Sequence, residues 1–250
     1  MIWILLASKV MAFEVIYNEF DNLNVWEKRS ISFYYDHEGA PESISEADAI
    51  DAIVASATAW SLVPGTDIEL VYEDRIEPEA TDRDDNFNII FWDQAWENQD
   101  SDILALTGLW ANEAGFVRGF DMRLREDKPW SIGSVDDAFD FQNAMAHELG
   151  HALGLAHPGV EDATMHSVTE FGELSKRDLH WDDEEAIRYL YAPTRAKSVF
   201  GCTTTSQPMS TLYWVPALLL VALRMRDRSP SPNRLHSCIA RPYRGDAKAT

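Results

Sequence analysis

His147-Glu148-Leu149-Gly150-His151-Ala152-Leu153-Gly154-Leu155-Ala156-His157 is the stretch on which the reading of this chain turns. His147 and His151 are four residues apart, so on a helix both imidazoles leave the same face, one turn apart. That separation lets two ring nitrogens reach one Zn2+ at about 2.0–2.1 Å. Glu148 follows the first histidine directly, which sets its carboxylate beside the ion but off the ligand axis, in reach of a water on the ion. His157 comes six residues after His151, where a continuing helix would rotate it away. Gly154 lies between them and can take the positive φ of a helix end without a Cβ clash, so the chain can bend and return His157 to the same ion. Pro158 and Gly159 then exclude further helix.

Three neutral imidazoles with one open position describe a catalytic zinc, not a structural one. Such an ion lowers the pKa of its water towards roughly 7 and polarises a carbonyl oxygen. Glu148 can accept the water's proton and pass it to a leaving amine. The expected chemistry is hydrolysis of peptide bonds by Glu-assisted attack of zinc-bound water, with one catalytic Zn2+ and a peptide or protein as substrate.

Outward from this motif, residues 13–194 read as one α/β or α+β unit. Strands are expected at Ile31–Tyr35, Ile68–Tyr72, Asn88–Trp92, Ile103–Thr107 and Phe116–Arg125, where Phe120, Met122 and Leu124 share a face. Ser45–Leu62 has Ala49, Ile53, Ala57 and Trp60 at helical spacing and ends at Pro64-Gly65. A long helix is expected to start at Ser134, with Asp137 three residues on, and to carry the zinc motif. A last helix runs over Asp182–Tyr191, with Ala186, Ile187, Leu190 and Tyr191 inward. Asp82, Asp84, Asn86 and Asn88 are spaced like the start of a calcium loop, but Phe87 stands where that loop needs glycine. A solvated turn is the better reading, so Ca2+ has no clear motif behind it.

The chain has 250 residues, 46% hydrophobic and 25% charged, which excludes wholesale disorder and a multi-span membrane protein. With 21 Lys+Arg against 42 Asp+Glu, the net charge of −21 argues against nucleic acid as a partner. The charge is uneven. Residues 195–250 hold nine Lys/Arg and two Asp, leaving twelve cations against forty acids in residues 1–194. An acidic body joined to a basic tail suggests segments with different jobs.

Residues 1–12 are apolar and end in Val10-x-Ala12, a pattern open to a signal peptidase. Yet no cation precedes the run and Lys9 interrupts it, so a signal peptide and a buried first strand both stand. In the tail, residues 212–223 are apolar throughout, and Arg224, Arg226 and Arg228 follow at once. Membrane contact through 212–223, or a sorting signal, is expected. The order Cys202, apolar segment, arginine cluster resembles bacterial surface-sorting tails, although Ser229–Thr250 continue beyond it as an extension that reads as disordered. A Cys202–Cys238 disulfide is the rival reading of the two cysteines.

On the zinc string the chain resembles the metzincin metallopeptidases, and within them the matrixin-like group, especially its bacterial members. Ala163-Thr164-Met165-His166 is similar to the Met-turn, which makes Met165 a structural floor beneath the metal and not a ligand. Leu104–Thr107 and Gly115–Asp121 resemble the strand pair above the cleft, whose edge strand binds substrate main chain. Phe139–Ala146 matches the approach to the zinc helix, and Asp182–Tyr191 the closing helix. The resemblance implies a zincin-like fold: a twisted, mostly parallel five-stranded sheet with three helices and a zinc cleft. It implies His147, His151 and His157 as ligands, Glu148 as catalytic base, and a pocket wall at residues 167–173. It also implies a monomer, secreted or anchored at the cell surface. The departures are an absent inhibitory cysteine ahead of the body, so that cysteine-switch latency is not expected, and no clear counterpart of a second, structural zinc site around residues 111–128. Pro158 is similar to the serralysin branch, but no tyrosine follows Met165 as a further ligand. The alternative from another class is a catalytically silent zinc-binding surface or adhesion module.

Overall fold

The alternation read in Ile31–Tyr35 is carried into space: Ile31, Phe33 and Tyr35 are buried, while Ser30 and Ser32 face outward. The computed structural model describes residues 12–73, 87–96, 103–193, 237–239 and 241–242. Its elements in chain order are β1 (Glu14–Val15), β2 (Val25–Trp26), β3 (Ser30–Tyr35), α1 (Glu46–Ser61), β4 (Glu69–Tyr72), β5 (Ile89–Asp93), β6 (Ala105–Ala111) and β7 (Phe116–Arg125). Then follow β8 (Trp130–Ser131), β9 (Phe139–Asp140), α2 (Phe141–Ala152), β10 (Leu155–Ala156), β11 (Val168–Thr169), α3 (Trp181–Tyr191), β12 (Ser237–Ile239) and β13 (Arg241–Pro242).

The main sheet runs β4-β3-β5-β7-β6. β4, β3, β5 and β7 are mutually parallel, and β6 returns antiparallel to β7. β2 adds a short parallel pairing to β7, and β12 lies antiparallel on the other edge of β6. The expected mostly parallel sheet with three helices is therefore present, but among the described residues it has seven strands rather than five, because β2 and β12 add short pairings. A parallel sheet needs cover on both faces, and β5 reads that way, with neighbouring Ile89 and Ile90 both buried. On β7, Phe120, Met122 and Leu124 are fully buried on one face.

α1 forms as read. Ser45 caps it, its side chain accepting from Asp48 N at 3.2 Å, and Ala49, Ile53, Ala57 and Trp60 lie on its buried face. α1 packs on α2, and the contact is pinned by Trp60 Nε1 donating to Ala146 O at 2.8 Å.

The helix that carries His147 and His151 starts later than expected. Ser134 is not its cap; its Oγ donates to Gly172 O at 2.9 Å. Phe139–Asp140 are still extended, paired in parallel with Trp130–Ser131. The helix begins at Phe141, where the Asp140 carboxylate accepts from Asn143 N at 2.8 Å and from Gly133 N at 2.7 Å, and is ion-paired with Arg177. A buried carboxylate held on three sides is a stronger cap than an exposed serine hydroxyl. α3 also begins slightly early, at Trp181, through a capping box between His180 and Asp183.

The C-terminal extension, expected to be disordered, contributes β12 and β13, in the same compact unit as the body. Asn88, the last residue of the calcium-like spacing, ties the sheet: its Nδ2 donates to Ser32 O and its Oδ1 accepts from Phe120 N, both at 2.8 Å. Asp82, Asp84, Asn86, the possible leader up to Met11, Cys202 and the apolar segment 212–223 lie outside the described residues. Among the described residues no helix is long and apolar enough to cross a membrane.

Candidate active site

α2 places His147 and His151 one turn apart, both about 1% exposed. The helix stops at Ala152 and the chain turns through Gly154, whose φ is 94°. A side chain is excluded there on a second ground, because a Cβ would lie 2.4 Å from Asn24 O. The turn brings His157 back. The Nε2 atoms of His147 and His151 are 3.1 Å apart, those of His147 and His157 3.1 Å, and those of His151 and His157 3.0 Å.

These rings are aimed from behind. His147 Nδ1 lies 2.7 Å from Thr164 O and His151 Nδ1 2.8 Å from Leu155 O. A carbonyl only accepts, so each Nδ1 carries the proton and each Nε2 offers a lone pair. Burial, with the neighbouring His151 next in effect for His147 and the neighbouring His157 for His151, drives both rings well below the usual histidine pKa. Neutral, convergent lone pairs this close repel unless a cation sits among them. Tetrahedral ligation at about 2.0–2.1 Å separates ligand atoms by about 3.3–3.4 Å, a few tenths of an ångström from the spacing here. The donor set fits a zinc ion, and it forms a potential metal-holding group of three histidines. His166, close by in sequence, is not part of that group.

Glu148 is fully buried. Its Oε2 accepts from Thr107 Oγ1 at 2.6 Å, while Oε1 has no hydrogen-bond partner among the described residues. Burial pushes its pKa up to about 8, against the opposing Thr107 hydrogen bond. A carboxylate pinned by one oxygen with the other unengaged can exchange a proton with a small polar molecule brought beside it.

Met165 is 1% exposed and packs under α2 at Gly150, where a Cβ would lie 2.2 Å from the Met165 sulfur and 2.8 Å from Trp60 Cζ2. Its loop is held by Asp183 of α3, whose carboxylate accepts from Thr164 N at 2.7 Å, Met165 N at 3.1 Å and His180 N at 3.0 Å. The next stretch, the expected pocket wall, contains β11 and Phe171, whose ring sits 4.4 Å from that of Phe139. Lys176, 3% exposed, braces it by donating to His166 O at 2.5 Å and Val168 O at 2.7 Å.

Sequence reasoning missed the parts played by Thr107, Gly150, Lys176 and Asp183. Only Gly150 carried a usable signal: glycine inside a helix costs about 1 kcal/mol against alanine, and its presence between His147 and His151 points to a tight contact.

The family model described as Matrixin matches residues 25–192. The chain is 42% identical over 95 residues to metalloendoproteinase 2-MMP of Arabidopsis thaliana, covering 35% of this chain and 24% of that protein. It is 28% identical over 173 residues to matrix metalloproteinase-16 of Homo sapiens, covering 67% of this chain and 27% of that one. Against matrix metalloproteinase-2 of Drosophila melanogaster it is 39% identical over 80 residues, 31% of this chain and 10% of the relative. The chain thus spans about a quarter or less of the length of these relatives.

Proposed function

The chain belongs to the matrixin family, and from that premise we propose that it is a zinc-dependent endopeptidase, with His147, His151 and His157 holding the ion and Glu148 moving the proton. The observation that carries the reading is the convergence of three histidine Nε2 atoms within 3.0–3.1 Å of one another. Bound there, zinc supplies Lewis acidity toward water and toward a carbonyl oxygen.

The rest is the work of the chain's own residues. Thr107 fixes Oε2 of Glu148 and leaves Oε1 to take a proton from the attacking water and give it to the leaving amine. β6, on the side away from β7, offers main-chain hydrogen bonds to an extended peptide wherever the three-residue pairing with β12 gives way. Residues 167–173 wall the pocket, and Met165 supports the ligands from below. The relatives are named metalloproteinases and metalloendoproteinases, which supports peptide bonds as the substrate class. We assign residues 1–12 a leader role on sequence grounds alone.

Glu148→Gln tests the reading. The variant is expected to keep zinc at one per chain by metal analysis and to lose peptide-library cleavage by about 10²–10⁴. Wild-type cleavage in that variant would reject the role of Glu148. Zinc-loaded wild-type protein without cleavage would favour the adhesion-module alternative.

A further inference from the structure

The outer edge of β6 is occupied by the chain's own C-terminal region. β12 runs antiparallel to β6 with Ser237 opposite Gly108, Cys238 opposite Thr107 and Ile239 opposite Leu106. Two residues beyond Ile239 the same strand of chain pairs in parallel with β11, Arg241 opposite Val168 and Pro242 opposite Thr169. Residues 237–239 and residues 241–242 therefore meet two separate walls. Both border the site: Thr107 of β6 hydrogen-bonds Glu148, and β11 follows Met165 on a loop braced by Lys176.

We propose that residues 237–239 and 241–242 are a self-ligand of the cleft, lying in the track a peptide substrate would take and competing with it for the same backbone rows. This rests on the reading of the cleft as a peptide site. β6 and β11 bind the segment through backbone pairing, which selects for an extended chain more than for a sequence, so any substrate must compete for the same rows. Charge favours the arrangement, since residues 195–250 carry nine Lys/Arg against two Asp while the preceding body is strongly acidic. The pairing is also short enough to be displaced, β12 having three residues and β13 two. At an effective concentration of about 1 mM, the order expected for a covalently linked segment, a strand with an intrinsic affinity of only about 0.1 mM would raise the apparent KM about tenfold.

The test uses the full chain, zinc-loaded, as wild type and as Cys238→Pro and Ile239→Pro. An antiparallel ladder uses the N–H of alternate residues, so one of the two prolines removes a donor to β6, and both lie far in sequence from the zinc helix. In at least one variant KM for a fluorogenic peptide should fall about tenfold at constant kcat, with faster amide hydrogen exchange across residues 105–111. Unchanged exchange there in both variants would overturn the proposal, as would faster exchange with no change in KM. If the peptidase reading itself fails, no version cleaves, yet exchange still reports whether the strand is seated.

Discussion

Gly150→Ala separates the contact seen here from the general behaviour of helices. On an exposed helix face this change stabilises by about 1 kcal/mol. Here the added carbon would sit 2.2 Å from Met165 Sδ, 3.2 Å from Met165 Cε and 2.8 Å from Trp60 Cζ2. Neither neighbour yields easily. Trp60 is fully buried and tied to Ala146 O at 2.8 Å, and the Met165 backbone is held by Asp183 at 3.1 Å. Overpacking of this kind costs about 1–3 kcal/mol, sometimes more, and the clash at the sulfur places this site at the upper end. After the propensity gain, a net loss of about 1–3 kcal/mol is expected, or a Tm lower by about 4–10 °C at this chain size. Thermal melting of the zinc-loaded protein measures it. Met165→Ala alone should cost about 2–5 kcal/mol through its cavity. The double variant should lose clearly less than the sum, because the new methyl occupies part of the vacated space. A Gly150→Ala protein as stable as wild type or more so, or strictly additive effects, would refute the idea that Met165 packs directly against the turn that carries His147 and His151.

Asp183→Asn should cost about 1.5–3 kcal/mol in a urea titration, since a charged acceptor for three backbone N–H groups becomes a neutral one; a change under half a kilocalorie would mean the Met165 loop holds itself. Lys176 keeps its proton to about pH 10.5 when unfolded, but burial brings it down to about 8 in the fold. Between those values the unfolded chain binds more protons, so this lysine makes unfolding free energy rise with pH, by up to about 3 kcal/mol, and contributes no slope below pH 8. The wild-type minus Lys176→Met difference in urea midpoint, followed from pH 7.5 to 10.5, should show that rise, and parallel profiles would contradict it. Removing metal with a chelator should lower Tm, because zinc at a thousandfold excess over its Kd contributes about 4 kcal/mol. His157→Ala should abolish most of that difference, and a full chelator effect in this variant would place the ion elsewhere.

What could be read in advance follows the range of the interactions involved. The histidine spacing, the Gly154 turn and the periodicities of β3, α1 and β7 are local, each decided within a few residues of backbone geometry, and they were legible. The start of α2 was not. Ser134 and Asp140 are both acceptable caps by composition, and the choice fell to Asp140 because Arg177, thirty-seven residues away in sequence, neutralises it. Lys176 shows the same limit from the other side: a lysine in a polar stretch reads as solvated, yet here two carbonyls turned inward by the loop around β11 draw it under the surface. The C-terminal strands are the extreme case. Ser237–Ile239 has neither the length nor the alternation that marks a strand. Its conformation is imposed by the backbone of β6, whose other edge is already paired with β7. An open sheet edge recruits an extended chain by hydrogen-bond geometry alone. The residues that answer it can be of almost any composition, so the pairing becomes visible only when both partners are seen in space. That indifference to side chains is also why a tail that folds onto β6 and a substrate that docks there must exclude one another.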